Sequence, residues 1–268
     1  MNGTSYIITW RGLGDPARKA NLKTVLEWLA LLQPAEVLVI EQDVAPSLSD
    51  LPSIPGLRSV FAYNPGPFNK SWGLNIGARF AVGSVLAFGD ADVLCGSLPA
   101  AVAQCRGNVL AVRPFSGIRD LDAAESALVR EDLSCLRDPS FTQRPADRKA
   151  IGEFPPICGG IVLFRRELFG VVGGWDERFL GWGGEDDAMD IKLRRAMVPV
   201  GVLNVEDGFH LWHERVNKNI VESPDYQRNL ALLEQLQTLS DAALRRLCEV
   251  SAQLGGYPEM LRPAEPKR

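Results

Sequence analysis

Three groups of residues in this 268-residue chain have types and spacings suited to chemistry. The first is Gly181-Trp-Gly-Gly-Glu185-Asp-Asp187. Its tryptophan is set among glycines, which free the backbone and leave an aromatic face available to cover a sugar ring. The run Asp187–Ala196 that follows reads as a helix, so Glu185 and Asp186 fall at its start. A helix dipole favours acids there by about 0.3–1 kcal/mol, which accounts for one or two carboxylates but not for Trp182. The second group is Asp90-Ala-Asp92, which follows the apolar run Ser84–Gly89. One carboxylate of such a pair can take a divalent cation while the other orients a ribose, although Asp-x-Asp also marks ordinary turns. The third is His210-Leu-Trp-His213, which holds both histidines of the chain. Imidazoles shared with carboxylate oxygens suit a mid-hard cation; the bland alternative is one strand-capping and one core histidine.

Inverting glycosyl transfer needs a base at an acceptor hydroxyl and positive charge at a leaving diphosphate. Asp186 is the candidate base and Glu185 the candidate holder of the acceptor's hydroxyl or amide groups. Trp182 would stack on the sugar, with Gly183 and Gly184 allowing a loop that closes and excludes water. His213 is the first choice as cation ligand and His210 the second.

These groups must be carried by a particular scaffold. Tyr6–Trp10, Glu36–Glu41, Leu57–Tyr63 and Ser84–Gly89 read as strands, separated by the helical runs Pro16–Leu32 and Phe68–Val82 and by a proline-rich loop over 45–56. Continuous apolar strands alternating with helices predict an α/β, Rossmann-like, mostly parallel sheet with helices on both faces. Ligands in such sheets bind beyond the carboxyl ends of the strands, where Arg11, Asp43, Asp90 and Asp92 all fall. Further on, Ser97–Arg106 and Leu121–Cys135 read as helices, 137–148 as loop, and Val109–Phe115, Gly160–Phe164 and Pro199–Val205 as strands. Tyr226–Leu254 reads as helical, with a break near Leu239-Ser240. The expected organisation is one domain, with a nucleotide- and metal-binding half over 1–95, an acceptor-binding and catalytic half over 96–223, and a helical region over 224–268.

Net charge is −4, so no global basic field draws nucleic acid. No apolar stretch reaches the roughly 20 residues of a membrane span. Five cysteines without Cys-x-x-Cys spacing read as reduced thiols, and the expected location is cytoplasmic, with peripheral attachment at an inner membrane as the variant.

Phe68-Asn-Lys-Ser-Trp-Gly-Leu-Asn-Ile-Gly77, Phe88-Gly-Asp-Ala-Asp92, Gly159-Gly160, Gly181-Trp-Gly-Gly-Glu-Asp-Asp187 and His213 occur in an order that resembles the β1,4-galactosyltransferase family. The chain is also similar to chondroitin-polymerase and polypeptide N-acetylgalactosaminyltransferase catalytic domains, over roughly residues 5–230. The resemblance implies a GT-A fold and inverting transfer from a UDP-sugar to a glycan or glycoconjugate with Mn2+, or alternatively Mg2+. It implies Asp92 and His213 on the metal, with His210 where the family often has methionine. It assigns Asp90 to the ribose side, Arg11 and Phe68 to the uridine, Lys70 to the diphosphate and, more loosely, Asp43 to the uridine. Asp186 matches the base, Glu185 an acceptor-binding group and Trp182 the mobile-loop tryptophan. Ile157, before Cys158-Gly159-Gly160, stands where galactose-transferring relatives have a bulky aromatic. The smaller side chain implies room for an acetamido group, and hence N-acetylgalactosamine ahead of galactose.

Two other functions compete. A metal-dependent nucleotidyltransferase shares the sheet and paired carboxylates but needs a basic phosphate cradle, and Arg11-Gly-Leu-Gly-Asp15 supplies one arginine. A non-catalytic sugar-nucleotide-binding module would keep the fold without the chemistry.

Overall fold

The computed structural model describes residues 1–149, 157, 159–214, 220–250 and 255. Strand β1 (Thr4–Trp10) is buried along its whole length, and its side chains alternate between two cores. Tyr6, Ile8 and Trp10 face one core with helix α1 (Pro16–Leu32), while Ile7 faces the other with α2 (Lys70–Phe80). This two-residue period on a strand covered from both sides is why the run is continuously apolar.

Seven strands form the main sheet in the order β10-β6-β9-β4-β1-β2-β3. They are β2 (Glu36–Asp43), β3 (Leu57–Tyr63), β4 (Val85–Gly89), β6 (Ala111–Arg113), β9 (Ile161–Arg165) and β10 (Val200–Val202), with β1 near the middle. Pairing is parallel throughout except at β9, which runs antiparallel to both β4 and β6. The expectation of a mostly parallel sheet with helices on both faces therefore holds.

A second sheet, absent from the sequence reading, has the order β5-β11-β7-β8. Its strands are β5 (Val93–Leu94), β7 (Gly117–Asp120), β8 (Arg148–Lys149) and β11 (Gly208–His210). Helices α3 (Leu98–Arg106), α4 (Ala123–Glu131), α5 (Pro139–Thr142) and α6 (Arg166–Val171) complete the middle of the chain. The helix expected over Leu121–Cys135 breaks at Asp132, whose side chain caps a separate 3-10 turn by accepting from the Ser134 amide. Helix α5 lies in the stretch expected to be loop, started by Asp138 capping Ser140 ahead of Pro139.

Helix α7 (Glu185–Arg195) packs with α8 (Pro224–Thr238) and α9 (Asp241–Val250) around Phe179, Ile191, Leu236 and Leu244. The break expected near Leu239 separates α8 from α9. Among the described residues no helix is long and apolar enough to cross a membrane.

Candidate active site

The Phe-Asn-x-x-x-x-Leu-Asn-x-Gly run is chiefly a packing device. Asn69 caps α2 by accepting from the Trp72 amide, while its Nδ2 donates to the Glu177 carbonyl at 2.8 Å. Buried Asn75 exchanges two hydrogen bonds with the backbone of Trp175. A Cβ at Gly73 would meet Thr9 Oγ1 at 2.1 Å and one at Gly77 would meet Ile7 Cγ2 at 2.2 Å, so α2 lies close on β1 only because both are glycine. The motif thus joins the sheet to the segment that leads into the Trp182 loop.

Lys70, the first residue of α2, carries charge into the site. Its Nζ lies 3.0 Å from Asp90 Oδ1 and 3.4 Å from Glu185 Oε1, bridging the strand-end acids and the helix-start acids. Burial pulls its ammonium pKa down, but the Asp90, Asp186 and Glu185 carboxylates outweigh that and hold it well above its ordinary value. Asp90 and Asp186 are further joined through consecutive backbone amides: Gly160 N donates to Asp90 Oδ2 at 2.9 Å and Gly159 N to Asp186 Oδ2 at 2.6 Å. Asp90 N donates back to the Gly160 carbonyl. Gly159 and Gly160 have φ of +64° and +80°, a conformation that suits glycine.

These residues line a shallow pocket at the carboxyl end of β4. Lys70, Asp90, Arg113 and Asp186 give it a charged side, and Leu74, Phe88, Ile157 and Val162 an apolar one. Glu185 sits beside it at the α7 N-terminus. Burial, reinforced by the Asp186 carboxylate, pushes the Glu185 carboxyl up to about 7 despite Lys70.

Asp92 diverges from Asp90 toward the second sheet. Its Oδ2 lies 3.3 Å from His213 Nε2 and its Oδ1 3.8 Å from His210 Nε2. Ligand atoms of the three residues lie within 4.8 Å of one another. The opposite nitrogen of each ring faces an acceptor: His210 Nδ1 is 3.1 Å from Asp120 Oδ1, and His213 Nδ1 is 3.0 Å from the Glu214 carbonyl. Each Nε2 is thereby left to face Asp92. One carboxylate with two such imidazoles fits a Mn2+-type cation.

Other expected residues are arranged differently. The Arg11 guanidinium donates to the carbonyls of Gln42, Gly66 and Asn64, and lies over the Phe68 ring at 5.9 Å. It shapes the loop after β3. Asp43, at the end of β2, accepts from the Val44 amide. Trp182 is 57% exposed and does not line the pocket; it stacks on Tyr226 of α8, 5.6 Å between centroids. A Cβ on Gly183 would meet that tyrosine ring at 3.0 Å. Gly184 is the N-cap of α7, packed on Phe179, and a Cβ on Gly160 would meet Phe115 at 2.8 Å.

Three residues missed in the sequence complete the surroundings. Buried Asn229 on α8 donates to the carbonyls of Leu180 and Gly183 at 2.8 and 2.9 Å and clamps the tryptophan loop. Tyr226 backs the indole, and Asp120 backs His210. Tyr226 fits the amphipathic pattern of its helix, and Asp120 falls in a polar stretch with no periodicity. Asn229 is the one sequence signal, a polar residue on the apolar stripe of Leu232, Leu233 and Leu236.

The architecture is that of the GT-A glycosyltransferases. The catalytic domain of Drosophila β1,4-galactosyltransferase 7, solved with xylobiose, superposes with a TM-score of 0.53 at 16% identity, over 85% of this chain and 79% of that one. Glucosyl-3-phosphoglycerate synthase from Mycobacterium tuberculosis, solved with Mn2+, UDP and phosphoglyceric acid, superposes with a TM-score of 0.54 at 15% identity, over 88% and 79%. In sequence, residues 147–214 match the family described as the N-terminal domain of galactosyltransferase. Chondroitin sulfate N-acetylgalactosaminyltransferase 1 of Homo sapiens is 28% identical over 152 residues, 56% of this chain. The matched part spans 28% of that protein's length. The resemblance drawn from the motifs therefore holds: residues 147–214 are similar to the galactosyltransferase family, and the chain is distantly similar to the chondroitin N-acetylgalactosaminyltransferases.

Proposed function

We propose that this chain is an inverting glycosyltransferase that moves a sugar, N-acetylgalactosamine ahead of galactose, from UDP to a hydroxyl of a glycan or glycoconjugate. The observation that carries this reading is the suspension of Asp90 and Asp186 from the adjacent amides of Gly160 and Gly159, with Lys70 between Asp90 and Glu185. In this mechanism Asp186 takes the proton of the acceptor hydroxyl, whose oxygen forms a bond to the anomeric carbon. The bond from that carbon to the diphosphate oxygen breaks on the opposite face, and its electron pair leaves with UDP. Asp186 Oδ2 is held by Gly159, which leaves Oδ1 for the proton. Glu185 holds the acceptor and Trp182 covers it.

Asp92, His210 and His213 would hold the cation, which when bound supplies positive charge at the leaving diphosphate. Asp90 serves the ribose side, Lys70 the diphosphate, and Arg11, Phe68 and Asp43 the uridine; Ile157 leaves room for the acetamido group. The homologues' name agrees with the N-acetylated donor.

The experiment is a screen of UDP-sugars for Mn2+-dependent donor hydrolysis, run beside thermal melts with UDP and Mn2+. UDP-GalNAc should turn over fastest, and UDP with Mn2+ should raise Tm. A chain that melts identically with and without millimolar UDP–Mn2+ is not this enzyme.

A further inference from the structure

The second sheet sets charged side chains in a line that runs on from the cation site to Asp120 and Arg148. On β11, His210 pairs with Val93 of β5 on one side and with Asp120 of β7 on the other. On the far side of β7, Ile118 pairs with Arg148 of β8. A chain of contacts crosses the four strands. Asp92 faces His210 Nε2, His210 Nδ1 lies 3.1 Å from Asp120 Oδ1, and that same oxygen accepts from Arg148 Nη2 at 2.6 Å.

Asp120 is itself tied down. Its amide donates to Asp147 Oδ2 at 2.9 Å, and its carbonyl accepts from Arg144 Nη2 at 2.6 Å. The two imidazoles are thus treated unequally. His213 leans on a backbone carbonyl, whereas His210 leans on a carboxylate that an arginine fixes from behind. An acceptor at Nδ1 keeps the proton there, leaves the Nε2 lone pair free, and raises the basicity of that nitrogen.

We propose that Asp120 is a positioning residue of the cation site, holding His210 in the tautomer and orientation that face Asp92, with Arg148 steadying Asp120. This rests on Asp92, His210 and His213 being the cation site. Without Asp120, the cation keeps Asp92 and His213 as fixed ligands and loses the third.

Two measurements test it. Mn2+ affinity is measured calorimetrically with saturating UDP for the wild type, Asp120→Ala, Asp120→Asn and Arg148→Ala. Asp120→Ala should bind about 10–100-fold more weakly, and Asp120→Asn, whose amide oxygen still accepts from Nδ1, should fall between it and the wild type. Arg148→Ala should stay nearest the wild type.

Independently of any metal, nitrogen-15 spectra at alkaline pH should show His210 protonated at Nδ1 in the wild type and as a tautomer mixture in Asp120→Ala. His213 should be unchanged in both, and with two histidines in the chain the assignment is direct. Equal Mn2+ affinity in the wild type and Asp120→Ala overturns the proposal, as does an unaltered His210 tautomer. A wild type that binds no Mn2+ in the presence of UDP removes the cation-site reading as well. Should Asp120→Ala fail to fold, Asp120→Asn carries the affinity measurement and Asp120→Leu, of similar size and unable to accept from Nδ1, carries the tautomer measurement.

Discussion

Asp90 and Asp92 leave the end of a buried strand, whereas Glu185 and Asp186 begin a helix, and the two pairs are held in different ways. The strand-end acids sit among charged and imidazole partners: Lys70 and the Gly160 amide on one, His210 and His213 on the other. Burial works against ionisation of Asp92, yet the facing imidazoles of His213 and His210 more than offset it and lower its carboxyl pKa. At the helix start, burial reinforced by the neighbouring Asp186 carboxylate pushes Glu185 up to about 7 although Lys70 lies beside it. Carboxylates set among a lysine and two imidazoles suit holding a cation and a nucleotide, whereas a Glu185 carboxyl raised to about 7 suits giving a hydrogen bond to an acceptor beside Asp186.

The sharpest way to break this contrast is a pair of substitutions. Asp186→Asn should lower transfer by about 10²–10⁴-fold while leaving the Tm rise from UDP and Mn2+ intact. Asp92→Asn should remove that rise together with transfer. Melts and rate assays on both variants read the contrast directly, and it collapses if Asp186→Asn loses the Tm rise or Asp92→Asn keeps it.

A smaller effect concerns pH. The Glu185 carboxyl stands at about 7 in the folded chain against 4.5 in the unfolded one, so between those values the folded state binds more protons. Stability assigned to this group is full below about 4.5 and is lost as pH rises through about 7. The groups facing it are Asp186 on its own helix, Lys70 on α2 and Asp90 after β4. Glu185→Gln, which cannot ionise, should therefore gain on the wild type by about 1–3 kcal/mol between pH 5 and pH 8 in urea melts. A constant gap across that range would contradict the assignment.

The mildest test addresses the loop beyond the second pair. Asn229→Ala unties the carbonyls of Leu180 and Gly183 and should cost about 1–3 kcal/mol in urea unfolding. It should also raise the acceptor KM while sparing donor hydrolysis, since its contacts are confined to the tryptophan loop.

What could be read in the chain follows the length and covering of each element. Strands β1, β2 and β4 are apolar runs buried on both faces, and their ends foretold where Asp43, Asp90 and Asp92 would lie. The second sheet was illegible because its strands are two to four residues long, too short for a period of two to register. That blindness hid Asp120, whose contact with His210 comes from strand register and not from local pattern. Trp182 was legible as an oddity of composition. Its seat on Tyr226 was not, because a tyrosine on an amphipathic helix looks like any other. Lys70 was expected at a diphosphate, and the structure adds its bridging place between Asp90 and Glu185.

The adjacent amides of Gly159 and Gly160 have a mechanical consequence. Asp90 and Asp186 come from distant parts of the chain, yet both are anchored to neighbouring peptide units that run straight into β9, which is locked to β4 with Ile161 opposite Gly89. The separation between the two carboxylates is therefore gauged by one short piece of backbone and not by how the two halves of the molecule settle against each other. Movement of α8 can tilt the tryptophan loop, which it holds through Asn229 and Tyr226, without resetting that gauge. A single residue inserted between 159 and 160 would throw it out of register at once.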